Sequence, residues 1–279
     1  MISKRFILNA DDFGFDQYHN QAVLEGYING FLTSASLMTN MQGFESAVND
    51  ILPDCGNLSI GAHLNIIEGK SLTKCKKITD DCGNFDKGYL YFLINQNDKD
   101  MLEEIEQEFR AQIEKAKSCV KITHIDSHVH THSIPAIFNI VCKLAKEYDI
   151  PYVRTQFEEF YIIPRLEKHI NLKYPINLIK VLLLQYFTKI NRRTADKWGL
   201  KTNDFIIGVS YTGMMDANAI KYGLKAINED SLTEALIHPC KYDDSKKDSH
   251  TKEFAITQDM DLSSKIKKLG FEITNFNNL

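Results

Sequence analysis

Ile122-Thr123-His124-Ile125-Asp126-Ser127-His128-Val129-His130-Thr131-His132-Ser133-Ile134-Pro135 reads as the joint of a βα unit. Ile122–Asp126 is an apolar, partly β-branched run of strand length, and a polar segment follows it. Pro135 then stands where the first turn of a helix tolerates it. Ile137, Val141, Leu144 and Tyr148 recur at three- and four-residue spacing, which gives that helix one apolar face. Tyr152–Arg154 is the next strand candidate, so strand, helix and strand fit within some thirty residues.

The alternation continues in both directions. Further strand candidates are Arg5–Ala10, Thr33–Thr39, Leu58–Leu64, Phe205–Ser210, Glu234–His238 and Phe271–Asn275. A helix from about Asp16 ends near Gly30, and another runs from about Asp259 to Leu269 and stops at Gly270. The clearest helix follows Asp100, which reads as its cap with Glu103 as box partner, and carries Leu102, Ile105, Phe109, Ile113 and Ala116. Strands alternating with helices imply a parallel sheet under helices. Eight strand candidates in 279 residues favour a closed or nearly closed β/α barrel over an open sheet. No linker and no repeat divides residues 1–279, which read as one domain. Residues 155–204, with Pro164, Pro175 and the only tryptophan, Trp198, fit worst and read as an insertion forming a lid or substrate wall.

Lys and Arg number 33 against 37 Asp and Glu, a net charge of −4 that argues against a nucleic-acid partner. No apolar stretch approaches the ~20 residues of a membrane span. No signal peptide is seen at the start, so a cytoplasmic location is expected. The six cysteines show no C-x-x-C pair and read as reduced thiols rather than a zinc cage.

Polar residues gather at strand ends, where a β/α barrel places its chemistry. Nine histidines in 279 residues put about 0.3 in any nine positions, yet positions 124–132 hold four. In an extended chain His128, His130 and His132 would share one side, and Asp126 could orient such ligands. In Asn9-Ala10-Asp11-Asp12-Phe13-Gly14, one carboxylate can bind a metal while the other serves as a base. The bland reading there is an Asx-type turn closing at Gly14. His63 ends the third strand and suits a third ligand, leaving a position open for water. His238, before Pro239, can protonate a leaving group. Arg154 can clamp a substrate oxygen, pair with an Asp ligand or simply stand exposed to solvent. His19, His169 and His250 stand in polar contexts and read as surface residues.

Asn-Ala-Asp-Asp-Phe-Gly at 9–14, Gly-x-His at 61–63, Thr-His-Ile-Asp-Ser-His-x-His-x-His at 123–132 and His-Pro at 238–239 together resemble the YdjC-like carbohydrate deacetylases. The resemblance implies a deformed β/α barrel of the glycoside hydrolase/deacetylase type. It implies removal of acetyl groups from N-acetylated sugars such as chitooligosaccharides, with one divalent ion, Mg2+ or Zn2+. Carried over by motif, Asp12, His63 and His128 would be the ligands, Asp11 the base and His238 the acid. Asp126, His130 and Arg154 would support substrate or ligands. Cys240 departs from the family, which often has a small residue, frequently glycine, after His-Pro. A small acetylated sugar is the expected partner, and a homodimer the ordinary expectation for such a chain. The rival readings are a metal-independent glycoside hydrolase using Asp11 and Asp126, a metal-dependent phosphoesterase or amidohydrolase, and a non-catalytic sugar- or metal-binding protein.

Overall fold

β1 (Arg5–Phe13) is the strand about which the rest is arranged. In the computed structural model, which describes residues 4–168, 174–242 and 248–279, it has three parallel partners. The others are β2 (Ser34–Leu37), β3 (Ser59–Leu64), β4 (Ile122–Ser127), β5 (Tyr152–Val153), β6 (Phe205–Ile207), β7 (Leu232–Ile237) and β8 (Glu272–Ile273). The sheet order is β5-β4-β3-β2-β1-β7-β6, every pair parallel, with β8 added to β1. All eight expected strands are present within a few residues of their expected ends.

β8 does not take an eighth place in the ring. It pairs with Arg5 and Phe6 of β1, ahead of Asn9, where β2 begins. The ring of seven strands closes irregularly between β5 and β6. Val153 N–H donates to Lys201 O (3.0 Å), Lys201 N–H to Pro151 O (2.9 Å), and Ile206 N–H to Phe157 O (2.8 Å). Between them the Asn203 side chain accepts from Thr155 N–H (2.6 Å) and donates to Thr155 O (2.9 Å). The result is the deformed barrel.

Helices cover the outside: α1 (Gln17–Ile28), α2 (Tyr89–Ile94), α3 (Lys99–Lys117), α4 (Pro135–Glu147), α5 (Tyr174–Trp198), α6 (Ala217–Ala226), α7 (Ser249–Thr257) and α8 (Met260–Lys268). Asp16 caps α1 and Asp259 caps α8, while Gly270 takes φ +87 just beyond α8. The cap of α3 is Asp98, not Asp100. Its carboxylate accepts from Asp100 N–H and Met101 N–H, and Asp100 lies inside the first turn. Residues 155–204 hold the connection from β5 to β6, in which α5 packs against α4.

Alternation along the strands separates two environments. Phe6, Leu8 and Ala10 of β1 join the main apolar core with the helices. Ile7 joins Tyr152, Leu232 and Phe276 in a small apolar cluster, and the Phe276 ring stacks on His124 at 4.0 Å. On the same strand face as Ile7, residues 9 and 11 are Asn and Asp. The barrel interior thus has an apolar floor and becomes polar towards the C-terminal strand ends. A Cβ at Gly61 would lie 2.3 Å from His124 Nε2, so the Gly-x-His motif needs its glycine to admit that ring.

Candidate active site

Asp11 and Asp12 sit within the C-terminal half of β1, and Asp12 takes the left-handed φ of +63. Non-glycine residues adopt that region at a cost. The chain does turn here, but not in the Asx-type way: Phe15 N–H donates to the main-chain Asp12 O (3.0 Å), and the Asp12 carboxylate goes to imidazoles instead. The two neighbouring carboxylates go to different partners.

Asp12 Oδ1 lies 3.2 Å from His63 Nε2 and 2.8 Å from His128 Nδ1, and one donor atom from each of the three fits within 4.8 Å of the others. Burial opposes the charge on Asp12. The His128 charge and the hydrogen bonds from both imidazoles nevertheless hold its carboxyl well below the usual range. Burial likewise works against a charged His63, but the Asp126 carboxylate and the bond to Asp12 raise it to about 10. His128 is raised against burial to about 9, chiefly by the Asp12 charge. A pocket that draws two protons beside a buried carboxylate favours positive charge, and its N,N,O donor set suits a divalent cation. Asp126 Oδ1 accepts from His63 Nδ1 at 2.7 Å, which leaves Nε2 for Asp12 or an ion.

Asp11 faces Arg154. Nη1 and Nη2 donate to its two oxygens at 2.8 and 2.7 Å, and Asn9 Nδ2 adds a bond to Oδ1 at 2.7 Å. Arg154 is 2 % exposed and also meets Asp126 (2.5 Å) and Glu234 (2.6 Å). It is therefore a buried hub joining carboxylates, not an exposed residue or a clamp open to substrate. One guanidinium faces three carboxylates. Burial pushes the Glu234 carboxyl up to about 7, and the neighbouring Asp126 adds to this. Glu234 was not among the sequence candidates, although a glutamate within the apolar run Leu232–Ile237 was a readable signal. Ser36, which donates to Asp126 Oδ2 (2.6 Å), offered none.

The expected common side for His128, His130 and His132 is not what forms. Residues 128–133 make a 3-10 turn with Val129 and His130 at φ +53 and +58, so the strand periodicity is lost. Only His128 reaches Asp12. His132 pairs with Ser127 Oγ (2.5 Å), and its Nε2 lies 3.1 Å from Arg154 O and 2.8 Å from the Gln156 amide nitrogen, donating to the first or accepting from the second beside Arg154. His130 is buried, and its Nδ1 has no hydrogen-bond partner among the described residues.

His238 follows β7, with Nδ1 3.3 Å from Glu253 Oε2 and its side chain 24 % exposed. Burial lowers its pKa, but the Glu253 carboxylate outweighs this and the net shift is upward. Glu68 Oε1, on a half-exposed side chain, stands 3.8 Å from His128 Nε2 and was also missed. An apolar recess of about 360 Å³ lined by Tyr89, Leu90, Val129, Ile176, Ile179 and Leu183 opens beside the His turn. Two surface expectations fail: His19 is 5 % exposed and His250 is part-buried. His169 lies outside the described residues.

A parallel β/α barrel carrying an Asp-His-His cluster and a buried Arg-carboxylate hub at its strand ends belongs to the class that does hydrolytic or binding chemistry at the barrel mouth. The chain belongs to the family described as YdjC-like protein, whose model matches residues 5–268. A carbohydrate deacetylase of Clostridium beijerinckii is 40% identical over 161 residues, 56% of this chain and 63% of that protein. One from Brevibacillus brevis is 40% identical over 149 residues, 58% of its own length, so the chain matches less than two thirds of these two relatives. A carbohydrate deacetylase of Thermoanaerobacter pseudethanolicus is 30% identical over 98% of both chains. The crystal structure of a proposed cellobiose-phosphate cleavage protein from Enterococcus faecalis shares the fold, with a TM-score of 0.75 over 99% of this chain and 98% of that one, at 21% identity.

Proposed function

We propose that this protein is a hydrolase that removes the N-acetyl group of an acetylated sugar, such as a chitooligosaccharide, and releases acetate. The observation that carries the reading is the division of labour between adjacent carboxylates: Asp12 on two imidazoles and Asp11 on Arg154. Relatives named carbohydrate deacetylase support the substrate class.

Asp12, His63 and His128 would hold one divalent ion, Mg2+ or Zn2+. Such an ion lowers the pKa of water and polarises a carbonyl. Arg154 and Asn9 hold the Asp11 carboxylate in place. Oδ1 already takes two hydrogen bonds and Oδ2 one, so Oδ2 is the atom to receive the proton of the attacking water. His238, oriented through Nδ1 by Glu253, gives a proton from Nε2 to the departing sugar amine. That proton is needed because an amine leaves poorly as an anion. The apolar recess beside Val129 offers a wall for the sugar ring's C–H face.

The glycosidase reading with Asp126 as a second catalytic carboxylate is disfavoured by geometry. Asp126 is fully buried and committed to Arg154, His63 and Ser36. The test is acetate release from diacetylchitobiose and longer chitooligosaccharides. Acetate that appears with added metal and vanishes with EDTA supports the proposal. Reducing sugar released regardless of EDTA, or phosphate released from esters with no acetate from any acetylated sugar, overturns it.

A further inference from the structure

A second cluster of ligand-type side chains stands behind His238, built from Asp16, His19 and Cys240. One donor atom from each lies within 4.8 Å of the others. Asp16 precedes α1 and His19 is in its first turn, whereas Cys240 comes from the loop after β7. His19 and Cys240 are 5 % and 0 % exposed.

Capping accounts for part of this arrangement. Asp16 Oδ1 accepts from Tyr18 N–H (2.9 Å), His19 N–H (3.0 Å) and His19 Nδ1 (2.8 Å). All three bonds fall on Oδ1, so Oδ2 is the oxygen a cation can take. A cation there takes the place of the proton shared between Asp16 and His19 Nδ1, the ring nitrogen that faces the carboxylate. Capping does not explain a buried thiol brought to the same place from a distant segment, nor the second imidazole beside it. His250 is tied to Cys240 through the backbone bond from Cys240 N–H to His250 O (3.2 Å). Its ring lies 5.9 Å from that of His19, and its Nδ1 is buried with no hydrogen-bond partner among the described residues. The Tyr242 hydroxyl bonds to the Cys240 side chain, the kind of outer contact that steadies a ligating sulfur.

We propose that Asp16, His19 and Cys240 form a second metal site, separate from the Asp12 cluster, for a thiophilic divalent ion such as Zn2+, with the His250 ring packed beside it. Sulfur, imidazole and carboxylate are the ligand types that select zinc over magnesium. A thiolate and a carboxylate balance the charge of a dication, and binding releases the thiol proton to solvent. The ion ties the segment carrying His238 to the start of α1, so it acts as a clamp at the edge of the candidate active site. It takes no part in the proposed hydrolysis, and its failure leaves that proposal standing.

Co2+ loading of the whole protein tests this, because only a sulfur ligand gives thiolate-to-metal charge-transfer absorption. The wild-type protein is expected to hold two ions per chain and to show that absorption. Cys240→Ser and His19→Gln should each hold one ion, and Cys240→Ser should lose the absorption. Asp12→Ala should lose one ion and keep the absorption. Wild-type protein with no thiolate absorption overturns the site even if Cys240→Ser fails to fold. Absorption that survives in folded Cys240→Ser overturns it too, since it then belongs to another of the six cysteines.

Discussion

Asp11 and Asp12 differ by one position and face unlike surroundings, so substitutions at the two should separate. Asp12→Ala is expected to lose bound ion and activity together. Asp11→Asn should keep the ion and lose turnover by about 10²–10⁴-fold, the usual worth of a positioned base. Metal analysis beside acetate assays checks both, and an Asp11→Asn enzyme with full kcat removes Asp11 from the base role. Protons stand in the ion-free cluster where a cation would sit. His63 and His128 titrate at about 10 and about 9 there, above the ordinary 6.5 of an unfolded chain. The folded state then binds more protons than the unfolded one across that interval, so stability falls as pH rises. Ion-stripped protein should melt at progressively lower temperature from about pH 6.5 to about pH 10, while metal-loaded protein should lose this slope. A flat profile in the stripped protein would contradict the charge assignment. Arg154 belongs to the same scale. Arg154→Met leaves buried carboxylates without their partner and should cost about 3–5 kcal/mol in denaturant unfolding.

Elements divide by how local their causes are. The ends of α1 and α8 were legible because caps act within a turn, the cap of α3 was misplaced by two residues, and α2, α6 and α7 were not read at all. Asp98 rather than Asp100 receives the first N–H groups of α3. Asp98→Ala should therefore cost about 1 kcal/mol in thermal or urea unfolding, and Asp100→Ala much less. The eight strands were legible from apolar runs and their spacing. The His-rich segment was legible as a site but not in its geometry. Strand alternation was extended past Ser127, where two consecutive left-handed residues break the period and send His128 and His132 to opposite errands. Ser36 became meaningful only once Asp126 was placed beside it across the barrel, and the partner of the odd glutamate, Glu234, only once Arg154 was. Such pairings lie in the fold, not in the order of residues.

At the scale of the whole molecule, the ring is joined by backbone ladders at every strand pair but one. Between β5 and β6 there are scattered main-chain bonds and the Asn203 amide. Nearby, Glu158 accepts from Gly208 N–H (2.8 Å) and Ser210 N–H (2.6 Å). Local opening costs least where few bonds must break together. Amide hydrogens at Val153, Lys201 and Ile206 should exchange faster than those of β1, with Asn203→Ala widening the gap. Equal protection on both sides of the barrel would refute this. A hoop fastened by a clasp changes girth at the clasp while the rest keeps its curve. Asp11, Asp12, His63 and His128 lie on the unbroken arc, whereas Arg154 stands at the fastening. The barrel can thus yield on one side without disturbing the ion cluster, and whatever loosens the clasp reaches Asp11 first, through the guanidinium that holds it.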